Sequence, residues 1–197
     1  VWVWIGGWLL SDHLDPMPLG LFFLLSPLLI SIGFILGSND TFAEIGLPRS
    51  LGRNTKLMIR LSIEYFVVIT VVVFVGQIIF LDFSYQSNAL PMVLIQVVPV
   101  FLVVLVQTFA EEIAWAGWLY HKLSSLSYNL RVLTITFIWF VWHLPFYLWT
   151  EQLIVLTGFD IISILILVAH LLTLRYLYSW FRWKSGNAWW PSILHGL

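Results

Sequence analysis

Runs of about twenty apolar residues recur along this chain, and between them the sequence turns polar only briefly. Twenty helical residues at ~1.5 Å each cross a hydrocarbon core ~30 Å thick. On that criterion Leu19–Gly37, Leu57–Leu81, Val132–Trp149 and Ile161–Tyr178 read as spans. A further run starts at Ala89 and continues through Glu111 and Glu112 to Leu119, as one long helix or as two pieces with a break, with Pro91 and Pro99 placed to start or kink it. Val1–Leu10 and Ala188–Leu197 read as parts of two more spans, both truncated. The expected fold class is all-α, a polytopic transmembrane helix bundle of six to seven spans. Residues 1–197 form one membrane domain, with the N-terminal spans in 1–89. Composition agrees. The chain is 60% hydrophobic and 10% charged, with nine Lys+Arg against ten Asp+Glu. Globular domains carry about 25% charge, so a soluble domain and a disordered chain are excluded. A nucleic-acid partner is excluded for want of a basic excess. The absence of cysteine excludes disulfides, thiolate catalysis and Cys-ligated metals.

The basic residues set an orientation. Loop 38–56 holds Arg49, Arg53 and Lys56, loop 121–131 holds Lys122 and Arg131, and segment 175–187 holds Arg175, Arg182 and Lys184. The alternate loops Ser11–Pro18, Asp82–Asn88 and Thr150–Asp160 carry acids but no Lys or Arg. Under the positive-inside bias the first set is cytoplasmic, and the protein is a multi-pass integral membrane protein with the lipid bilayer as its first partner. Trp180, Trp183, Trp189 and Trp190 cluster where belt residues meet that interface.

An ionisable side chain inside a span costs ~2.5–3.5 kcal/mol or more, so each needs a partner or a role. Arg60 and Glu64, four apart near a cytoplasmic end, read as a snorkelling interfacial pair. Glu111, Glu112, His143, His170 and His195 lie deeper. Counted from the cytoplasmic ends of their helices, they sit at a common depth of roughly 12–18 Å. A lone intramembrane His is usually a satisfied core residue. Coincident depth with two carboxylates favours a polar site for His143 and His195, while His170 fits an interhelical hydrogen bond better. A carboxylate with two imidazoles can activate water as a general base, or as the ligands of Zn²⁺ with an open fourth position. Proton relay and ion transport use the same residue types, but the inverted repeats expected of a transporter are not seen.

The local sequences narrow this. Glu111-Glu112-Ile113-Ala114-Trp115-Ala116-Gly117 resembles the EExxxR-Gly motif of the CAAX-protease and bacteriocin-processing family of intramembrane proteases. Trp139-Phe140-Val141-Trp142-His143-Leu144-Pro145 is similar to its second motif, an aromatic four residues before a His. Trp190-Pro191, leading to His195, resembles its final stretch. Together the three motifs cover 90–197. The resemblance implies a helical bundle around a cytoplasm-facing cavity and endoproteolysis within it, with Glu111 activating water and His143 as its partner. His195 then binds or stabilises the developing oxyanion. If a metal is used, Glu111, His143 and His195 are its ligands, with His170 as an extra candidate; the cofactor is Zn²⁺ or none. The substrate class is a peptide or a lipidated protein.

Two departures bear on activity. The motif's Arg falls at Ala116, so Glu112 needs another cation, and Arg175 is the candidate. The second motif's aromatic is Trp139 instead of Phe. Loss of the Arg also fits a catalytically silent member serving as an accessory or scaffold subunit of a membrane complex, in which His170 could ligate a bound cofactor.

Overall fold

The structure, a computed structural model, describes residues 17–48, 50–80, 102–149 and 160–197. Among these, all regular structure is helical: α1 (Met17–Leu36), α2 (Thr55–Phe80), α3 (Leu102–Lys122), α4 (Tyr128–Trp149), α5 (Ile161–Ser185) and α6 (Trp189–Gly196). Two of them, α3 and α5, are long and apolar enough to cross a membrane. The expected span Val1–Leu10, Pro91, Pro99 and the acidic loop Asp82–Asn88 lie outside the described residues.

Local chemistry sets the helix ends. Asp160 N-caps α5, its carboxylate accepting from the Ser163 amide at 2.9 Å. At the other end Gly186 takes a left-handed φ of 72° and donates its amide to the Arg182 carbonyl. The sequence reading ended this span at Tyr178 and placed 175–187 in a loop. The helix instead runs on through the basic residues to Ser185, because Arg, Trp and Lys are adequate helix formers and the first residue suited to a C-cap is Gly186. Arg175 therefore belongs to the interior of a helix and not to a loop. From Leu102 onward the run through Glu111 and Glu112 is one continuous helix, whose residues Ile113–Leu119 form a π-helical stretch directly after the acidic pair. Such insertions are frequent at functional sites.

Burial is inverted relative to a soluble domain. Arg175, Glu111, Glu112 and Asn187 are among the largest fully buried side chains. Val67, Val68, Val71 and Val72 of α2, and Ile161, Ile162, Leu165 and Ile166 of α5, are all more than half exposed. In water this would be a large apolar surface, whereas in hydrocarbon it is the expected outer face.

α5 packs against α4 and α6, α2 against both α5 and α6, and α1 against the π-helical stretch, where Phe34 stacks on Trp118 at 4.8 Å. The loop after α1 binds the ends of α3 and α5 together. Lys122 Nζ meets Asp40 at 2.6 Å. The Arg53 amide donates to the Ser185 carbonyl and the Ala188 amide to the Gly46 carbonyl, both at 2.7 Å. Gly52, at φ 82°, lies so close to this turn that a Cβ would be 2.4 Å from the Ser185 oxygen. These contacts gather the three basic-rich segments at one end of the fold.

Candidate active site

The acidic pair lies where α3 meets α4, α5 and α6. Glu111 is 2% exposed and Glu112 fully buried. Adjacent residues on a helix point about 100° apart, so the two carboxylates face different partners. Glu111 accepts from Gln107 Nε2 at 3.3 Å, one turn earlier on α3, and from Trp139 Nε1 of α4 at 3.1 Å. Glu112 takes Arg175 Nη1 of α5 at 2.9 Å on one oxygen and His195 Nδ1 of α6 at 3.0 Å on the other. The cation absent at Ala116 thus arrives at Glu112 from α5.

Trp139 joins the two halves. Its indole N–H holds Glu111, and its carbonyl oxygen lies 2.8 Å from His143 Nδ1 one turn on. Its ring face lies 4.5 Å from the Arg175 guanidinium carbon, and its edge meets the rings of His143 and His195 at 4.9 and 5.8 Å. Because a carbonyl can only accept, His143 carries its proton on Nδ1 and its lone pair on Nε2. The His143 ring is 4% exposed. Arg175 is fully buried between Trp139 and Tyr178, whose ring centroid lies 5.4 Å from its guanidinium carbon. Its Nε and Nη2 have no hydrogen-bond partner among the described residues, so the ring faces are its other contacts.

Tyr178 is the residue that sequence reasoning missed. It is 2% exposed and stacks on His195 at 4.9 Å. Its place three residues after Arg175 on one helix face was the available signal; it was instead read as the end of a span.

The histidines differ in their surroundings. His195 was grouped with Glu111 and His143, but its ring is turned to Glu112. Glu111, His143 and His195 all meet Trp139, but no group of three His, Asp or Glu placed to hold a metal ion occurs among the described residues. His170 is exposed on α5 and stands apart from the cluster, because five residues before Arg175 is about 140° around the helix. Arg60 and Glu64 form an exposed pair at 2.6 Å, outside the site.

A buried carboxylate held by neutral donors, a second held by a guanidinium and an imidazole, and an imidazole with an accepting Nε2 can together move a proton from water and stabilise negative charge. A family model described as "Type II CAAX prenyl endopeptidase Rce1-like" matches residues 92–197. Neither a curated protein nor a solved structure matches the chain.

Proposed function

The chain belongs to the Rce1-like family of type II CAAX prenyl endopeptidases, and from that membership we propose that it is a multi-pass intramembrane endopeptidase. Its substrate is a prenylated protein or peptide, cut near its C-terminus by water. The observation that carries the reading is the division of labour between the two buried carboxylates. Among the described residues Glu111 accepts from neutral donors alone, Gln107 and Trp139, and is the carboxylate without a cation beside it. Glu112 is engaged by Arg175 and His195 and orients them.

In this reading Glu111 removes a proton from water as the oxygen attacks the scissile carbonyl, and His143 Nε2 accepts a hydrogen bond from the same water. Negative charge develops on the carbonyl oxygen. His195, with Nδ1–H fixed on Glu112, presents Nε2–H to that oxygen when its ring is doubly protonated. The proton on Glu111 then passes to the leaving amine as the C–N bond breaks. The proposed steps use no metal ion. Loops 38–56 and 121–131 and the end of α5 face the cytoplasm, where the C-termini of prenylated proteins would meet the site.

A second reading is favoured by Ala116, which stands where the motif has Arg: a silent member acting as an accessory subunit. One experiment separates the two. Full-length protein in lipid vesicles is given a farnesylated peptide ending in a CAAX box, and the products are identified by mass spectrometry. The protease reading expects release of the C-terminal tripeptide, with a matched unprenylated peptide left largely uncut. Absence of cleavage across farnesyl and geranylgeranyl substrates would favour the accessory subunit.

A further inference from the structure

A second feature lies at the basic end, away from the acidic pair. Tyr120 of α3, Tyr128 and Arg131 of α4, and Trp180 and Trp183 of α5 line a cavity of about 370 Å³. Its walls are almost wholly aromatic, yet its surroundings are cationic. The Arg131 guanidinium carbon lies 4.5 Å and that of Arg182 5.7 Å from the centroid of the Tyr120 ring. Lys184 Nζ lies 4.7 Å from the Trp183 ring and 6.0 Å from that of Trp180.

Among the described residues these three cations, like Arg53 and Lys56, have no carboxylate beside them. Arg60, Lys122 and Arg175 each contact a carboxylate. Among the described residues Arg131 donates to the carbonyls of Leu123, Ser124 and Leu126, and Arg182 to those of Ala116 and Glu44. Carbonyls fix a guanidinium without neutralising it. Lys184 has no carboxylate partner among the described residues. Aromatic walls beside cations that no carboxylate answers leave both an apolar and an anionic requirement open.

We propose that this cavity is a binding site for an anionic phospholipid, whose phosphate lies between Arg131 and Lys184, with the Arg182 charge beside Tyr120 adding to the field, while the start of an acyl chain fills the space lined by Tyr120, Tyr128, Trp180 and Trp183. A small soluble anion would gain nothing from the aromatic walls, and a neutral apolar molecule would leave the cations unmatched. An amphiphile with an anionic head meets both requirements. The position agrees with the chemistry: tryptophan and tyrosine concentrate at headgroup level, and basic clusters on the cytoplasmic side recruit anionic lipid. Trp183 is 52% exposed, so the site opens at the protein surface and a lipid can enter laterally. The site does not depend on the protease reading.

The test is native mass spectrometry of the full chain in mild detergent, titrated with phosphatidylglycerol or with phosphatidylcholine of the same acyl chains. Phosphatidylglycerol is expected to bind more tightly, and more weakly as salt rises. Lys184→Gln is expected to weaken it about fivefold, and Trp183→Ala about two- to fivefold. Both changes are at solvent- or lipid-accessible positions, and the Arg131 contacts that hold the α3–α4 turn are left intact. Binding of phosphatidylcholine equal to that of phosphatidylglycerol would overturn the proposal. So would phosphatidylglycerol binding unchanged in both variants, which would put the lipid elsewhere. Displacement of the lipid by glycerol phosphate at equal concentration would also overturn it, by showing a plain anion site.

Discussion

Removing the Arg175 guanidinium should be among the most damaging single changes available in this fold, and removing its partner as well should undo much of the damage. Arg175 and Glu112 are both fully buried, 2.9 Å apart, with the guanidinium between two aromatic rings. Arg175→Met keeps much of the volume but strands Glu112 with His195 as its remaining partner. Breaking a buried pair from one side typically costs about 3–5 kcal/mol, whereas replacing both members with neutral groups is often close to neutral. For a chain of this size about 2–4 °C accompanies each kcal/mol. Thermal unfolding in detergent should therefore fall by about 6–20 °C for Arg175→Met, and by markedly less for Arg175→Met combined with Glu112→Gln. The double-mutant cycle isolates the coupling. Losses that add in the double variant, or an Arg175→Met change below about 1 kcal/mol, would refute the idea that this pair organises the site. Ala116→Arg in the wild type should destabilise, because it brings a second guanidinium to a carboxylate already bonded on both oxygens.

Trp139→Phe removes one of the two donors to Glu111 but keeps the backbone carbonyl that holds His143. One charge-assisted hydrogen bond, at about 1.5 kcal/mol, should lower kcat/KM about tenfold, measured on the farnesylated peptide, with little change in unfolding temperature. Gly52→Ala combines a φ of 82° with a Cβ 2.4 Å from the Ser185 oxygen, so it should destabilise by about 1–3 kcal/mol in the same unfolding assay. Hydrogen bonds from Lys122 and Ser38 hold the Asp40 carboxyl below its ordinary value of 3.8. Its contribution is fully present above that unfolded-state value and is lost as pH falls through the lower folded one. The stability difference between wild type and Asp40→Asn should accordingly be constant near neutral pH and vanish in strong acid.

The helices were legible because long apolar runs favour helices, and counting along them placed Glu111, His143 and His195 at one level, where all three now meet Trp139. Arg175 was legible as a partner for Glu112 because Ala116 left a charge to be answered. The extent of α5 was misjudged because a change from apolar to basic residues marks an interface, not a helix end; Gly186 marks the end. The attachment of His195 to Glu112 was not legible. It depends on how α6 is set against α3, where the Thr108 hydroxyl donates to the Ser192 carbonyl at 3.1 Å and the Cβ that Gly196 lacks would meet Leu105 at 2.9 Å. No spacing within either segment encodes that angle. The π-helical stretch Ile113–Leu119 likewise leaves no mark in residue type. The loop after α1 read only as polar, yet Gly46 and Gly52, both at positive φ, let it lie flat against α5 and the start of α6.

The central claim is that the two adjacent carboxylates do different work, Glu111 moving the proton and Glu112 holding the cations. The most direct test compares single-turnover cleavage of a farnesylated CAAX peptide by wild type, Glu111→Gln and Glu112→Gln, each first checked for an intact fold by its unfolding temperature. Loss of a general base costs typically ~10²–10⁴-fold. Glu111→Gln should lose that much in rate with its fold intact, while Glu112→Gln should unfold at lower temperature and retain measurable cleavage. Equal rates for Glu111→Gln and wild type, or an inactive Glu112→Gln beside an active Glu111→Gln, would contradict the assignment.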